Sequence, residues 1–538
     1  MEVEVVGSSP QGSVPPTIGR PPDEFTIPDD PSVRGLLRPS PSPVRPFPGP
    51  TLNSPDTPGR ERQDGGPPPY LALVAVLLVA ALLRGVDLAG PSLWYDEVIT
   101  IRLAREPGPA ALLQLLGRID ATRAPLHPLL LQGWLALFGP SDIAARASSA
   151  LCGLLTVAVI YAIGHEASGR RVGLWAAWLC ALSPALVRYA REVRMYAWLV
   201  LLTCLAWLIL LSFRRPATAA RGVLFAAVLV ALAYSHPLGL FMDVALALAY
   251  LVHARSFRLG WRPWLAIQAA AGLAILPWIG RYTDHPPEYL LPRYPIRYLI
   301  GMPIEFVGGN SLALAGMVAL IVVGLLRRER ATEGGTAAGR VRLDDPATST
   351  ILLTWFAVPP LLLYGYSTVA HPIFGPARYT LFVAPVYLLL VARGLAKLPT
   401  APRFAAATVM AILSASMLRT MVYDPDLRAD WRAASAFIRA ADPSPTVVVP
   451  PVAVAPAGVE PAAEMRYYLG PTATVIATPD ELARFLAGDA TGRDVWIGVG
   501  LATGAGAKEA AVPEVFDRRY RTVGVWRFPG LRLIRKAP

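Results

Sequence analysis

Charge is what this chain of 538 residues has little of: Asp, Glu, Lys and Arg together make up 16%, against about 25% in soluble domains. Hydrophobic residues fill 54%, and the mean hydropathy of +0.43 excludes an ordinary soluble class. Cysteine is nearly absent as well. The three present, Cys152, Cys180 and Cys204, all lie in apolar runs and form no CxxC pair, so neither a disulfide framework nor a structural zinc site is expected. A Gly-rich phosphate loop is missing: GLATGAGAKEA (500–510) lacks the spacing and the strand-to-helix context. No signal peptide is expected, because the first apolar run begins only near Tyr70 and no small-residue cleavage site follows it. Nor is there an internal repeat of the kind many transporters carry.

The excess of 50 basic over 38 acidic residues, net +12, would suggest nucleic acid in a soluble chain. Here it belongs to short loops between apolar blocks, and no nucleic-acid partner is expected. Those blocks fall at 70–88, 146–164, 172–188, 196–213, 221–235, 238–253, 263–280, 312–326, 351–369, 379–396 and 404–421. By the length that crosses a bilayer core, roughly 20 residues, they predict about eleven spans. HPLLLQGWLALFG (127–139) is too short and reads as an interfacial helix. With residues 1–69 inside, every inner loop is basic, among them Arg170/Arg171, Arg214/Arg215/Arg221 and Arg393/Lys397/Arg403, as the positive-inside rule requires. The fold class is therefore a polytopic α-helical membrane protein.

Three regions follow. Residues 1–69, rich in Pro, cannot bury enough surface to offset ordering and read as a disordered cytoplasmic tail. Residues 70–421 hold the spans. Residues 422–538 read as a small extracytoplasmic α/β domain: TVVVPP, TATVIA and VWIGVG are short buried strands, with AAEMRYYLG and PDELARFLAG as helices between them. Before them, DPDLRADWRAASAFIRAADP has helical spacing, with Trp431, Ala434, Phe437 and Ile438 on one face.

The stretch SLWYDEVITIRLA (92–104) places Asp96 and Glu97 at the outer edge of the first span. A carboxylate there can take a proton from an attacking hydroxyl, or it can cap the start of an interfacial helix; residue chemistry alone leaves the two readings equal. Outer loops also hold arginines, against the insertion bias: Arg188, Arg191 and Arg194, then Arg281, Arg293 and Arg297, then Arg378. Such guanidiniums can bind a phosphate or snorkel at the interface, which suits Arg281 and Arg297. His236 in its SHP turn reads equally as a substrate contact or a turn cap. Asp243, two turns inside its span, is expected to have a structural partner.

In order along the chain stand LWYDE, APLHPLLLQGWLALFGPSDIAARASSALCGLL, SPALVRYAREVRMYAW, SHPLGLF, GPARYTLFVAPVYLLL and DWRAASAFI. From about residue 70 to 450 this series resembles the bacterial branch of the C-type (GT-C) membrane glycosyltransferases, relatives of protein O-mannosyltransferases and the lipid A aminoarabinose transferase. The resemblance implies transfer of a hexose or pentose from a polyprenyl-phosphate donor to a hydroxyl acceptor (lipid, wall polymer or protein) on the extracytoplasmic side of the plasma membrane. It implies Asp96 as base with Glu97 beside it, and Arg191, Arg194, Arg378 and Tyr379 at the donor phosphate. Tyr95, His127, Tyr189, Glu192, Tyr196 and His236 would contact substrate. APLHP departs from the family's PPLYY, with Ala124 for Pro and His127 for Tyr. No cofactor is required, and a divalent metal is left open. The rival readings are a transporter or lipid-linked sugar flippase, and a structural membrane protein with an outer sensing domain.

Overall fold

The computed structural model describes residues 69–119, 124–283, 292–307, 309–328, 341–375, 377–424, 428–450, 462–487, 493–500 and 514–538. The expectations for the Pro-rich tail and for most of 500–510 lie outside the described residues. Residues 67–538 form one compact unit.

Each apolar run expected to span is helical. The chain runs α1 (Pro69–Gly85), α2 (Tyr95–Ala104), α3 (Pro109–Ile119), α4 (Leu126–Phe138), α5 (Asp142–Ser168), α6 (Arg170–Leu182), α7 (Pro184–Ala190) and α8 (Tyr196–Ser212). It continues through α9 (Ala219–Ser235), α10 (Leu238–Val252), α11 (Trp261–Thr283), α12 (Ile296–Phe306), α13 (Ser311–Leu325), α14 (Pro346–Val369), α15 (Ala384–Lys397) and α16 (Thr400–Met421). Among the described residues, 5 helices are long and apolar enough to cross a membrane alone, and up to 7 if the bent pairs α6–α7 and α12–α13 each count once. The remaining expected spans, α1, α8, α9 and α10, have 15–17 residues. They fall just short of the usual length. Between α6 and α7 a break bends the pair by 61°: Pro184 brings no N–H, and the Ser183 hydroxyl accepts from Leu186 N–H at 3.5 Å.

One large apolar core joins α1, α5 to α10, α14 and α15. Trp207 and Trp355 stack within it at 5.1 Å. Where α13 crosses α15 the backbones nearly touch, since a Cβ on Gly394 would sit 1.8 Å from the Leu320 carbonyl oxygen. Small residues permit such crossings between apolar helices. The cysteines are buried thiols. Asp243 differs from expectation: both carboxylate oxygens are buried with no hydrogen-bond partner among the described residues. Its neighbours on α10 are apolar, so the helix itself offers no donor.

β1 (Leu326–Arg328) and β2 (Val341–Leu343) form a small antiparallel ladder. The C-terminal region opens with α17 (Trp431–Ala441), followed by β3 (Thr446–Val448), α18 (Ala463–Leu469), β4 (Thr474–Ile476), α19 (Pro479–Ala487), β5 (Val495–Gly500), α20 (Glu514–Arg519), β6 (Arg521–Phe528) and β7 (Leu531–Ala537). The sheet order is β4-β3-β5-β7-β6; β3 is parallel to β4 and β5, and β7 is antiparallel to β5 and β6. The expected strands and helices all form, and Thr478 Oγ1 caps α19 by accepting from Glu481 N–H at 3.2 Å. The final hairpin β6–β7 was not anticipated. Its period-2 alternation is diluted by Gly524 and four arginines, and its turn uses Gly530 at φ 60°. α17 and α18 cover one face of the sheet with Ile438, Met465 and Leu469. α18 also lies against α2, with Ala463 among Leu93, Val98 and Ile101.

Candidate active site

Two adjacent carboxylates diverge here. In an α-helix successive side chains point about 100° apart, so Asp96 and Glu97, near the start of α2, enter different surroundings. Asp96 faces two arginines. Its Oδ2 stands 3.4 Å from Arg378 Nη1 and 3.7 Å from Arg194 Nε. Arg194 also donates to Thr100 Oγ1 at 3.0 Å, and Thr100 in turn donates to the Asp96 carbonyl at 2.7 Å. Asp96 keeps 22% of its side-chain surface open and Arg378 keeps 33%, so the group is reachable.

Glu97 is fully buried. Arg146 grips it with Nε to Oε1 at 2.9 Å and Nη2 to Oε2 at 2.8 Å. Val193 N–H donates to Oε1 at 3.0 Å and Arg428 Nη1 to Oε2 at 3.0 Å. Burial alone would raise its carboxyl; the paired hydrogen bonds from Arg146 and the charges of Arg146 and Arg428 outweigh this and hold it below the ordinary value. Such a saturated carboxylate has no lone pair aimed at a substrate. Arg428 then donates to Glu192 Oε1 at 2.6 Å. Glu192 is buried too, its Oε2 lacks a partner among the described residues, and burial raises its carboxyl despite Arg428.

The other candidates divide. Tyr189, Tyr196, His236 and Tyr379 form a row of rings with centroids 5.5, 6.2 and 6.4 Å apart. Arg378 lies over the Tyr379 ring at 5.0 Å, so the row ends at the guanidinium that faces Asp96. His236 Nδ1 accepts from Leu238 N–H at 3.0 Å, at the start of α10. His127 is buried, with its ring 6.3 Å from Trp198. Tyr95 begins α2, next to Asp96. Arg191 goes elsewhere: it donates to the carbonyls of Arg84, Val86 and Asp87 around the C-terminal end of α1 and lies 4.8 Å from the Tyr423 ring. Arg281 and Arg297 rest over Trp278 and Tyr298 at 4.2 and 5.5 Å.

Sequence reading missed Arg146 and Arg428. A signal existed for the first, an arginine four residues into a helix that then becomes predominantly apolar. Arg428 carried none, since its partners lie 236 and 331 residues away. A cavity of about 260 Å³ opens behind this network, lined by Arg146, Arg188, Arg191, Tyr423 and Arg428 among others. Among the described residues no group of three or more His, Cys, Asp or Glu side chains could hold a metal ion.

Comparison with known proteins bears on this arrangement. Residues 122–280 match the family described as dolichyl-phosphate-mannose-protein mannosyltransferase. ArnT from Cupriavidus metallidurans in the apo state superposes with a TM-score of 0.55 at 13% identity, over 87% of this chain and 97% of that one. Its complex with undecaprenyl phosphate gives 0.54 over the same shares. This is the C-type membrane glycosyltransferase fold. The Archaeoglobus fulgidus oligosaccharyltransferase with zinc and sulfate matches with a TM-score of 0.45, 14% identity, over 79% of this chain and 67% of that one. No curated protein matches the sequence. Within the C-type fold, LWYDE supplies the start of α2, YAREVRMYAW the turn between α7 and α8, and GPARY the approach to α15.

Proposed function

We propose that the chain transfers a sugar from a polyprenyl-phosphate donor to a hydroxyl acceptor, with Asp96 as general base and Arg194 and Arg378 facing the leaving phosphate. The observation that carries this reading is the reachable Asp96 carboxylate set between those two guanidiniums at 3.7 and 3.4 Å. Both contacts exceed the 2.7–2.9 Å of a tight charge-assisted pair, and Arg378 keeps a third of its side-chain surface open to meet a phosphate. The acceptor oxygen bonds to the anomeric carbon as its proton passes to Asp96. The bond from that carbon to the phosphate oxygen breaks, its electron pair leaves on the phosphate, and displacement inverts the sugar centre. An alcohol is too weak an acid to ionise first, so proton removal accompanies attack. Guanidiniums already in place stabilise the growing phosphate charge without reorganising.

The undecaprenyl phosphate in the ArnT complex supports a lipid-phosphate donor. Basic loops between the spans support an active site on the extracytoplasmic side of the plasma membrane, with residues 422–538 outside as an α/β domain packed on α2. The ion pairs of the site sit at helix ends, at the starts of α2 and α5 and in the turn between α7 and α8, which favours transfer over transport through the midplane. Membranes containing the chain, given undecaprenyl-phosphate hexoses and pentoses, should release undecaprenyl phosphate with sugar appearing on an acceptor, and Asp96→Asn should slow this by about 10²–10⁴-fold. Release at near the parent rate in Asp96→Asn, or no release with any donor of the panel, would overturn the proposal.

A further inference from the structure

Asp96 and Arg194 come from separate elements, α2 and the turn between α7 and α8, and their side chains stand 3.7 Å apart. The residues beside them meet on a single guanidinium. Arg428 donates through Nη1 to Glu97 Oε2 at 3.0 Å and through Nη2 to Glu192 Oε1 at 2.6 Å. Glu97 follows Asp96 directly, and Glu192 precedes Arg194 by two residues. One planar fork therefore bridges the two elements that carry Asp96 and Arg194. Val193, between Glu192 and Arg194, adds a direct tie, its N–H donating to Glu97 Oε1 at 3.0 Å.

Arg428 is itself held from both sides. Asp430 N–H donates to the Pro529 carbonyl at 2.9 Å, and a Cβ on Gly530 would stand 2.9 Å from the Ala429 nitrogen, so this stretch lies close on the β6–β7 turn. Towards the membrane helices, Ser92 donates to Asp430 Oδ1 at 2.7 Å, and Arg432 donates to the Ala89 carbonyl at 2.6 Å and to Asp142 Oδ2 at 2.9 Å. Residues 428–432 are thus pinned between the C-terminal sheet and the segment leading into α2. Glu97 already has Arg146 on both oxygens, so Arg428 is not needed to neutralise it. What Arg428 adds is the link to Glu192, whose other cation, Arg188, stands at 3.7 Å.

Resting on the proposed transfer reaction, we propose that Arg428 is a positioning residue: its fork holds α2 against the α7–α8 turn and so sets the separation of Asp96 from Arg194. Seating of the C-terminal α/β region becomes a condition of catalysis rather than an accessory to it.

The test uses the full chain in nanodiscs with Arg428→Ala, Glu192→Gln and the two combined, and with Arg518→Ala, from an exposed ion pair on α20, as control. Arg428→Ala leaves a buried Glu192 charge without its close partner, which can cost folding by itself; the double variant removes that charge too. Hydrogen exchange is followed in the peptides covering 93–104 and 188–196. Turnover per donor-binding site is measured with an undecaprenyl-phosphate sugar, in the parent and in an Arg194→Gln background. Both peptides should exchange faster in Arg428→Ala and in the double variant, and at the parent rate in the control. Turnover per site should fall about 10- to 100-fold in Arg428→Ala, the scale of a misplaced catalytic group. Because losses that act through one pair do not multiply, Arg428→Ala should cost less than about 3-fold once Arg194 is gone. A double variant that matches Glu192→Gln in exchange and turnover would show that Arg428 only neutralises Glu192, and full multiplication with Arg194→Gln would show that it acts elsewhere; either overturns the inference, as does unchanged exchange in both peptides. The exchange readout needs no activity, so a parent chain that transfers none of the sugars offered fails the transfer reading and still leaves this one decided.

Discussion

Asp96 and Glu97 are neighbours with opposite fates, and their variants should separate cleanly. Asp96→Asn keeps its shape but cannot take a proton at neutral pH. Loss of a general base costs about 10²–10⁴-fold in rate, so turnover should fall by that much while donor affinity and folding survive; near-normal turnover would end the mechanism. Glu97→Gln should act on stability instead, because it leaves Arg146 and Arg428 facing a neutral group in a fully buried place. Removing one partner of a buried ion pair costs about 3–5 kcal/mol, read as a lowered unfolding midpoint in detergent. At Arg378 a planar fork faces Asp96, and lysine offers only a point charge. Arg378→Ala should weaken donor binding by about 1.5–3 kcal/mol, the range for a hydrogen bond to a charged group, with Arg378→Lys recovering only part of it in a direct binding measurement. Unchanged affinity in both would leave Arg378 as an anchor.

Helices α2, α13 and α15 show what one element demands of another. α2 is held from below by Arg146 of α5 and from above by Arg428. Because Glu97 has a carboxyl held below its ordinary value, the native state binds that proton less readily than the unfolded chain. Its stabilisation is complete above the usual carboxyl pKa of about 4.3 and disappears as pH falls through the lowered native value. The thermal midpoint should therefore hold through neutral pH and drop in strong acid, and Glu97→Gln should flatten that acid limb; a limb of unchanged slope would detach Glu97 from acid stability. At the crossing of α13 and α15, Gly394→Ala must push backbone against backbone. Overpacking of this kind costs about 1–3 kcal/mol, so the variant should unfold earlier, whereas an unaltered midpoint would mean the helices part freely.

At the scale of the whole molecule, the polar network joins regions far apart in the chain. Ser92 donates to Asp430 Oδ1 at 2.7 Å, Arg428 bridges Glu97 and Glu192, and Asp142 gathers Arg432, Tyr467 and Tyr468. If the basic loops lie inside, the C-terminus lies outside with this network, and a C-terminal reporter active only beyond the membrane should report activity. Activity of an inside-only reporter would reverse the orientation and remove Asp96 from its proposed substrates.

Much of this was legible in residue order alone. Long apolar runs must form helices wherever water is absent, since every backbone polar group then needs an internal partner, and each run did so. The α/β alternation after residue 422 followed from local spacing. LWYDE, YAREVRMYAW and GPARY were identifiable because their polar residues are out of place among apolar ones. Which of those residues meet was a different matter. Asp96 and Arg378 are 282 positions apart, and only the packing of the bundle sets one before the other. Tertiary structure also sent Glu97 to Arg146, sent Arg191 to carbonyls at the end of α1, and brought the Tyr468 hydroxyl to the start of α2. An ionisable side chain takes its role from whichever charges and donors fold around it, and a linear order of residues does not contain those distances.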